Sequence, residues 1–91
     1  MDDLPIEGQD KLLTRLHRIE GQIRGLQRML EEGRPCEELL VQLSAAIAGL
    51  RKVGGMAYAA EVQRLLAAGP ADRPELPAEL EHLADRFAQF S

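Results

Sequence analysis

The sequence has no tryptophan, one tyrosine and two phenylalanines, so aromatics make up only 3% of its 91 residues. Its core therefore has to be built from Leu, Ala, Ile, Val and Met, within a hydrophobic content of 45%. A single cysteine, Cys36, excludes an internal disulfide framework. The first residues carry no basic stretch leading into an apolar run, and with that lone thiol we expect a reducing, cytoplasmic setting. No stretch approaches the roughly 18 apolar residues of a membrane span, so no membrane partner is expected. Alternating apolar and polar residues are missing too, which leaves no strand signal. There is no CxxC, HxxxH or HExxH spacing, no glycine-rich phosphate loop after a strand and no nucleophile–base pair. Catalysis is not expected. A chain this short buries a modest fraction of its surface and often needs a partner copy.

The charge is unevenly placed. Eleven basic and fifteen acidic residues give a net −4, a sign that by itself speaks against nucleic acid. Residues 1–10 carry −4, residues 11–28 carry +4, and residues 70–91 carry −3. The average thus hides a basic segment, with Lys11, Arg15, Arg18, Arg24 and Arg28 set against Glu20 alone.

Three helical segments follow from the apolar spacing. After a flexible stretch over 1–9, Leu12, Leu16, Ile19, Ile23, Leu26 and Leu30 alternate four and three apart and predict a helix over 10–33. Asp10 is its expected N-cap and Gly33 its terminator. A second, long helix is expected over 35–68, with Pro35 at its first position and Glu37 and Glu38 in its first turn. Gly54-Gly55 interrupts that helix with a weak point, marking a kink or a close backbone approach. A linker over 69–76 leads to a short third helix over 77–90, carrying Leu80, Leu83, Ala84, Phe87 and Phe90. The expectation is a single all-α domain of two long helices and one short one. Its uncovered apolar seam would be closed by a second copy in an antiparallel four-helix bundle.

Candidate functional residues fall on two features. Cys36 opens the second helix, where the dipole and free N–H groups favour thiolate; it also reads as a small hydrophobe at a helix end. Cys36 and Glu61 lie 25 residues apart on that helix, about 37 Å, with a phase difference of about 20°. They cannot meet within one chain. Two such helices packed antiparallel about a crossing between Ala48 and Gly49 would bring each Cys36 to the partner's Glu61 and Leu65. The second feature is Lys11, Arg15 and Arg18, an i, i+4, i+7 stripe that reads either as a solvated face or as phosphate contact, reinforced by Arg51 and Lys52. His17 and His82 have no second ligand at metal spacing. Gly21 and Gly25, four apart, read as a close helix contact.

The run Leu12–Gly33, with its core Arg18-Ile19-Glu20-Gly21-Gln22-Ile23-Arg24-Gly25-Leu26-Gln27-Arg28-Met29, resembles the first helix of the CsoR/RcnR/FrmR family of bacterial metal- and thiol-responsive repressors. Arg34-Pro35-Cys36 looks like that family's helix-opening cysteine, and the similarity covers roughly residues 10–66. The resemblance implies a homodimer that pairs into a homotetramer, and operator DNA as partner. It also implies DNA contacts at Arg15 and Arg18, supported by Lys11, Arg51 and Lys52, with release by an effector acting at Cys36. Where copper-sensing members supply a His and, four residues later, a Cys or His, this chain has Glu61 and Leu65. The N-terminal His of the nickel and cobalt type and the second Cys of the persulfide type are missing. Asp2 stands where the formaldehyde type has Pro. The implied cofactor is thus Cu(I) or another transition metal at an atypical site, or none, with Cys36 the one strong ligand and His17, His82, Glu79 and Glu81 as fallbacks. We expect Cys36 to act as a thiol switch tuned by Glu61. A helical-bundle interaction module without DNA binding is the alternative.

Overall fold

The structure, a computed structural model, describes residues 8–67 and 74–91. Residues 1–7 of the expected N-terminal stretch and most of the expected linker lie outside the described residues, while Gln9 already belongs to the first helix. Three helices follow in order: α1 (Gln9–Glu31), α2 (Cys36–Ala67) and α3 (Leu76–Phe90). Among the described residues there is no strand. Among the described residues no helix is long and apolar enough to cross a membrane either.

The ends of α1 follow from local chemistry. Gly8 takes a φ of +82° just before the helix, so Asp10 falls inside the first turn and is not the N-cap. Its carboxylate there still complements the helix dipole, and its carbonyl accepts a hydrogen bond from Thr14 Oγ1 at 2.9 Å. At the other end Gly33 has a φ of +67°, a backbone state that a Cβ disfavours. The Arg34 N–H reaches Met29 O at 3.0 Å and the Gly33 N–H reaches Leu30 O at 3.2 Å, the paired bonds of a Schellman ending.

Pro35 sits one position earlier than its expected place. It is the residue before α2, and its carbonyl accepts from the N–H groups of Glu38 at 3.0 Å and Leu39 at 3.2 Å. Cys36 is therefore the first helical residue. Arg34 ties the turn to the new helix through Glu38 at 2.6 Å and Glu32 at 3.6 Å. Its guanidinium is held above its ordinary range by the hydrogen bond and charge of Glu38.

The described residues group into two compact units, Asp10–Val53 and a second that takes in Gly8 and Gln9 with the described residues from Gly54 to Ser91. In the first unit the apolar stripe of α1 divides into two columns. Leu12, Ile19 and Leu26, seven apart, are buried. Leu16, Ile23 and Leu30, also seven apart, are exposed, Leu30 by 66%. On α2, Ala46 is buried, while Leu40, Leu43, Ile47 and Leu50 are exposed at spacings of three and four. Ile19 meets α2 at Gly49, where an added Cβ would stand 3.2 Å from Ile19 Cδ1 and Cγ1.

In the second unit α3 packs on the latter part of α2 through rings. Tyr58 and Phe87 stack with centroids 4.3 Å apart and planes 3° from parallel, and Phe90 follows at 6.1 Å from Phe87. Phe90 lies directly over Gly54, where any Cβ would overlap its ring. Helix α2 runs unbroken through Gly54-Gly55. The close approach there is thus made by a side chain and not by a second backbone. Gly55 has open space around it.

Candidate functional site

Cys36 is exposed at the first residue of α2. Its position follows from the Gly33 ending of α1 and the Pro35 carbonyl, which together set where α2 begins. Glu61 lies 25 residues further along the same helix, so the structure does not bring the two together within one chain. Glu61 is half-buried, and each of its carboxylate oxygens already has a partner. Arg64 Nε donates to Oε1 and Arg64 Nη2 donates to Oε2, each at 2.7 Å. That hydrogen-bonded pairing holds the Glu61 carboxyl below its ordinary range, partial burial working against it. Arg64 was not anticipated as its partner, although an i, i+3 acid–base pair on a helix is a visible signal. Leu65 is buried within the chain.

Among the described residues no three His, Cys, Asp or Glu side chains gather closely enough to hold an ion. His17 is engaged with Glu20 at 3.0 Å. A thiolate joined by a carboxylate would also be a poor set for Cu(I), which prefers thiolate and imidazole.

The five candidate DNA contacts, Lys11, Arg15, Arg18, Arg51 and Lys52, all lie in the first unit. Lys11, Arg18, Arg51 and Lys52 are exposed, and Arg15 is half-buried. Among the described residues none of the five makes an ion pair, while Glu20 is turned to His17. Arg15 and Arg18 border a notch of about 170 Å³, completed by Ile19 and Gln22 of α1 and by Gly49 of α2. Lys52, three positions after Gly49, shares its face of α2, whereas Arg51 is turned about 100° from Lys52. Gln22 and Gly49 were missed in the sequence. Gln22 sits on the same stripe, four after Arg18 and seven after Arg15, and that spacing was the available signal.

A profile of the family described as "Metal-sensitive transcriptional repressor" matches residues 8–88. The chain belongs to this family. The family consists of transcriptional repressors and not of enzymes, in line with the absence of a catalytic motif. The chain is 49% identical over 45 residues to the copper-sensing transcriptional repressor CsoR of Bacillus subtilis (strain 168), a stretch covering 50% of this chain and 45% of CsoR. It is 47% identical over 45 residues to the copper-sensing transcriptional repressor RicR of Mycobacterium tuberculosis (strain ATCC 25618 / H37Rv), covering 50% and 47%. The match therefore spans about half the length of these curated relatives. Among solved structures, the nickel-responsive transcriptional regulator InrS superposes with a TM-score of 0.76 at 38% identity, covering 86% of this chain and 90% of that one. The family member described here thus shares a helical fold with a regulator, and shares its most similar segment with two others.

Proposed function

We propose that this chain is the DNA-binding subunit of a transcriptional repressor that leaves its operator when an effector acts at Cys36. One observation carries the DNA-binding half of this reading. A protein with a net charge of −4 keeps Lys11, Arg15 and Arg18 together on one helix, none of them in an ion pair among the described residues, as phosphate contact requires.

Assembly into a homodimer, and from there a tetramer, is supported by the two exposed apolar columns of the first unit, Leu16, Ile23 and Leu30 on α1 and Leu40, Leu43, Ile47 and Leu50 on α2. Those side chains at heptad-like spacing call for a helical partner, and a second copy offers the same surface. An antiparallel pairing centred between Ala48 and Gly49 would set Cys36 of one chain against the end of α2 that carries Glu61 in the other. The cytoplasm, where a lone thiol stays reduced, is the fitting compartment.

The relatives are described as responding to copper and to nickel. For this chain the donor set favours direct chemistry on the thiol over metal capture, because Glu61 is held by Arg64 and Leu65 offers no donor atom. The test uses fluorescence anisotropy on a promoter fragment containing a G/C tract, with N-ethylmaleimide as the thiol probe and Cu(I) and Ni(II) as metal probes. Wild-type protein should be released by the probe that engages Cys36. Cys36→Ala should bind with unchanged affinity and resist release by every probe. Release of the Cys36→Ala protein to the wild-type extent would contradict the thiol assignment. Failure of the wild type to bind any duplex would favour a protein-interaction module.

A further inference from the structure

The notch between α1 and α2 is a built concavity, and the DNA-binding reading on which this inference rests does not by itself explain its shape. Arg15, Arg18 and Gln22 stand at i, i+3 and i+7 along α1, so their side chains leave the same face. Together they rim a space of about 170 Å³ whose floor is Ile19 and the bare backbone of Gly49. The polar residues that line it are Arg15, Arg18 and Gln22, and among the described residues neither arginine has a carboxylate partner. A guanidinium fork matches the oxygens of a phosphate, and the amide can add a neutral N–H donor that fixes where the phosphate sits. Glycine at position 49 is disfavoured in a helix by about 1 kcal/mol relative to alanine. Here a methyl group would stand 3.2 Å from Ile19 Cδ1 and Cγ1, so Ile19, which also lines the notch, would have to shift.

We infer that this notch seats one backbone phosphate of DNA, neutralised by Arg15 and Arg18 and held in register by the Gln22 side-chain amide over the Gly49 floor. Gln22 is a positioning residue for DNA, and Gly49 keeps the seat open. A free phosphate ion offers the same oxygens. DNA is favoured because Lys11, one turn before Arg15, carries the cationic line beyond the notch, farther than a single ion reaches.

The experiment is amide NMR of the full chain, titrated separately with sodium phosphate at constant ionic strength and with the promoter duplex. It is paired with duplex affinities and thermal midpoints for Gln22→Ala and Gly49→Ala. The Gln22 side-chain amide should shift with duplex at stoichiometric amounts and with inorganic phosphate only at millimolar concentration. Gln22→Ala should weaken duplex binding about threefold to tenfold, as loss of one hydrogen bond would, with an unchanged salt slope and thermal midpoint. Gly49→Ala should weaken binding without lowering the helical content. If the duplex binds but leaves the Gln22 amide unmoved and Gln22→Ala binds as wild type, the inference is overturned. A response to inorganic phosphate alone overturns it in favour of a free anion. Absence of duplex binding by the wild type is a separate result, and sinks the repressor reading itself.

Discussion

Glu61 shows how a single residue's partner decides what it can do. With Arg64 donating to both its oxygens, the carboxylate is a paired ion, and any role beside a partner's Cys36 would use the acceptor sites that Arg64 leaves. The pairing has a pH signature. Because the folded carboxyl titrates below its unfolded value of about 4.3, its stabilising contribution is present above that pH and is lost as pH falls through the folded value. Arg64→Met should raise the titration point of Glu61, followed by the 13C shift of its side-chain carboxyl, and should flatten this part of the acid-side stability loss. A titration point that stays where it was would show that Arg64 is not what holds Glu61 ionised. The identity of the pair was open to reading from the sequence, since acid and base three apart on a helix face one another.

At the scale of the element, α2 explains its own glycines differently from one another. A helix of 32 residues with Gly54 and Gly55 in its middle reads in sequence as weakened. The structure assigns a steric reason to one of them. Phe90 of α3 occupies the place of a Gly54 side chain, while the space beside Gly55 is open. Gly55→Ala should therefore raise stability by about 1 kcal/mol in thermal unfolding. Gly54→Ala should forgo that gain, because it pushes out Phe90 beside its neighbour Phe87. Equal gains from both would mean that Phe90 does not pack there. This distinction was illegible beforehand because the two contacting residues are 36 positions apart in the chain, whereas helix α1 was legible through its local spacing. Even there, the alternation of three and four marked the apolar stripe without telling which column, Leu12–Ile19–Leu26 or Leu16–Ile23–Leu30, is covered within the chain. The start of α1 was misplaced for a local reason too: Gly8 takes the left-handed turn before the helix, and Asp10 only resembles a cap.

At the scale of the whole molecule, an acidic chain carries an unneutralised basic face, and its apolar residues exceed what one copy covers. The first property was legible as a segment sum, and the second as a length too great for so short a chain to enclose. The notch was not legible, because it depends on where Gly49 of α2 comes to lie against Ile19 of α1. Both properties fit the proposed reading of this member of a family of metal-sensitive transcriptional repressors.

The central claim, that the α1 stripe engages DNA phosphates, is tested most directly by the salt dependence of duplex affinity for wild type and Arg15→Ala. Each phosphate contact contributes about 0.9 to the slope of log affinity against log salt concentration. The wild type should weaken steeply as salt rises, and Arg15→Ala should bind more weakly with a slope shallower by about 0.9 for each chain that contacts the duplex. An affinity indifferent to salt, or an Arg15→Ala protein with the wild-type slope, would contradict the account.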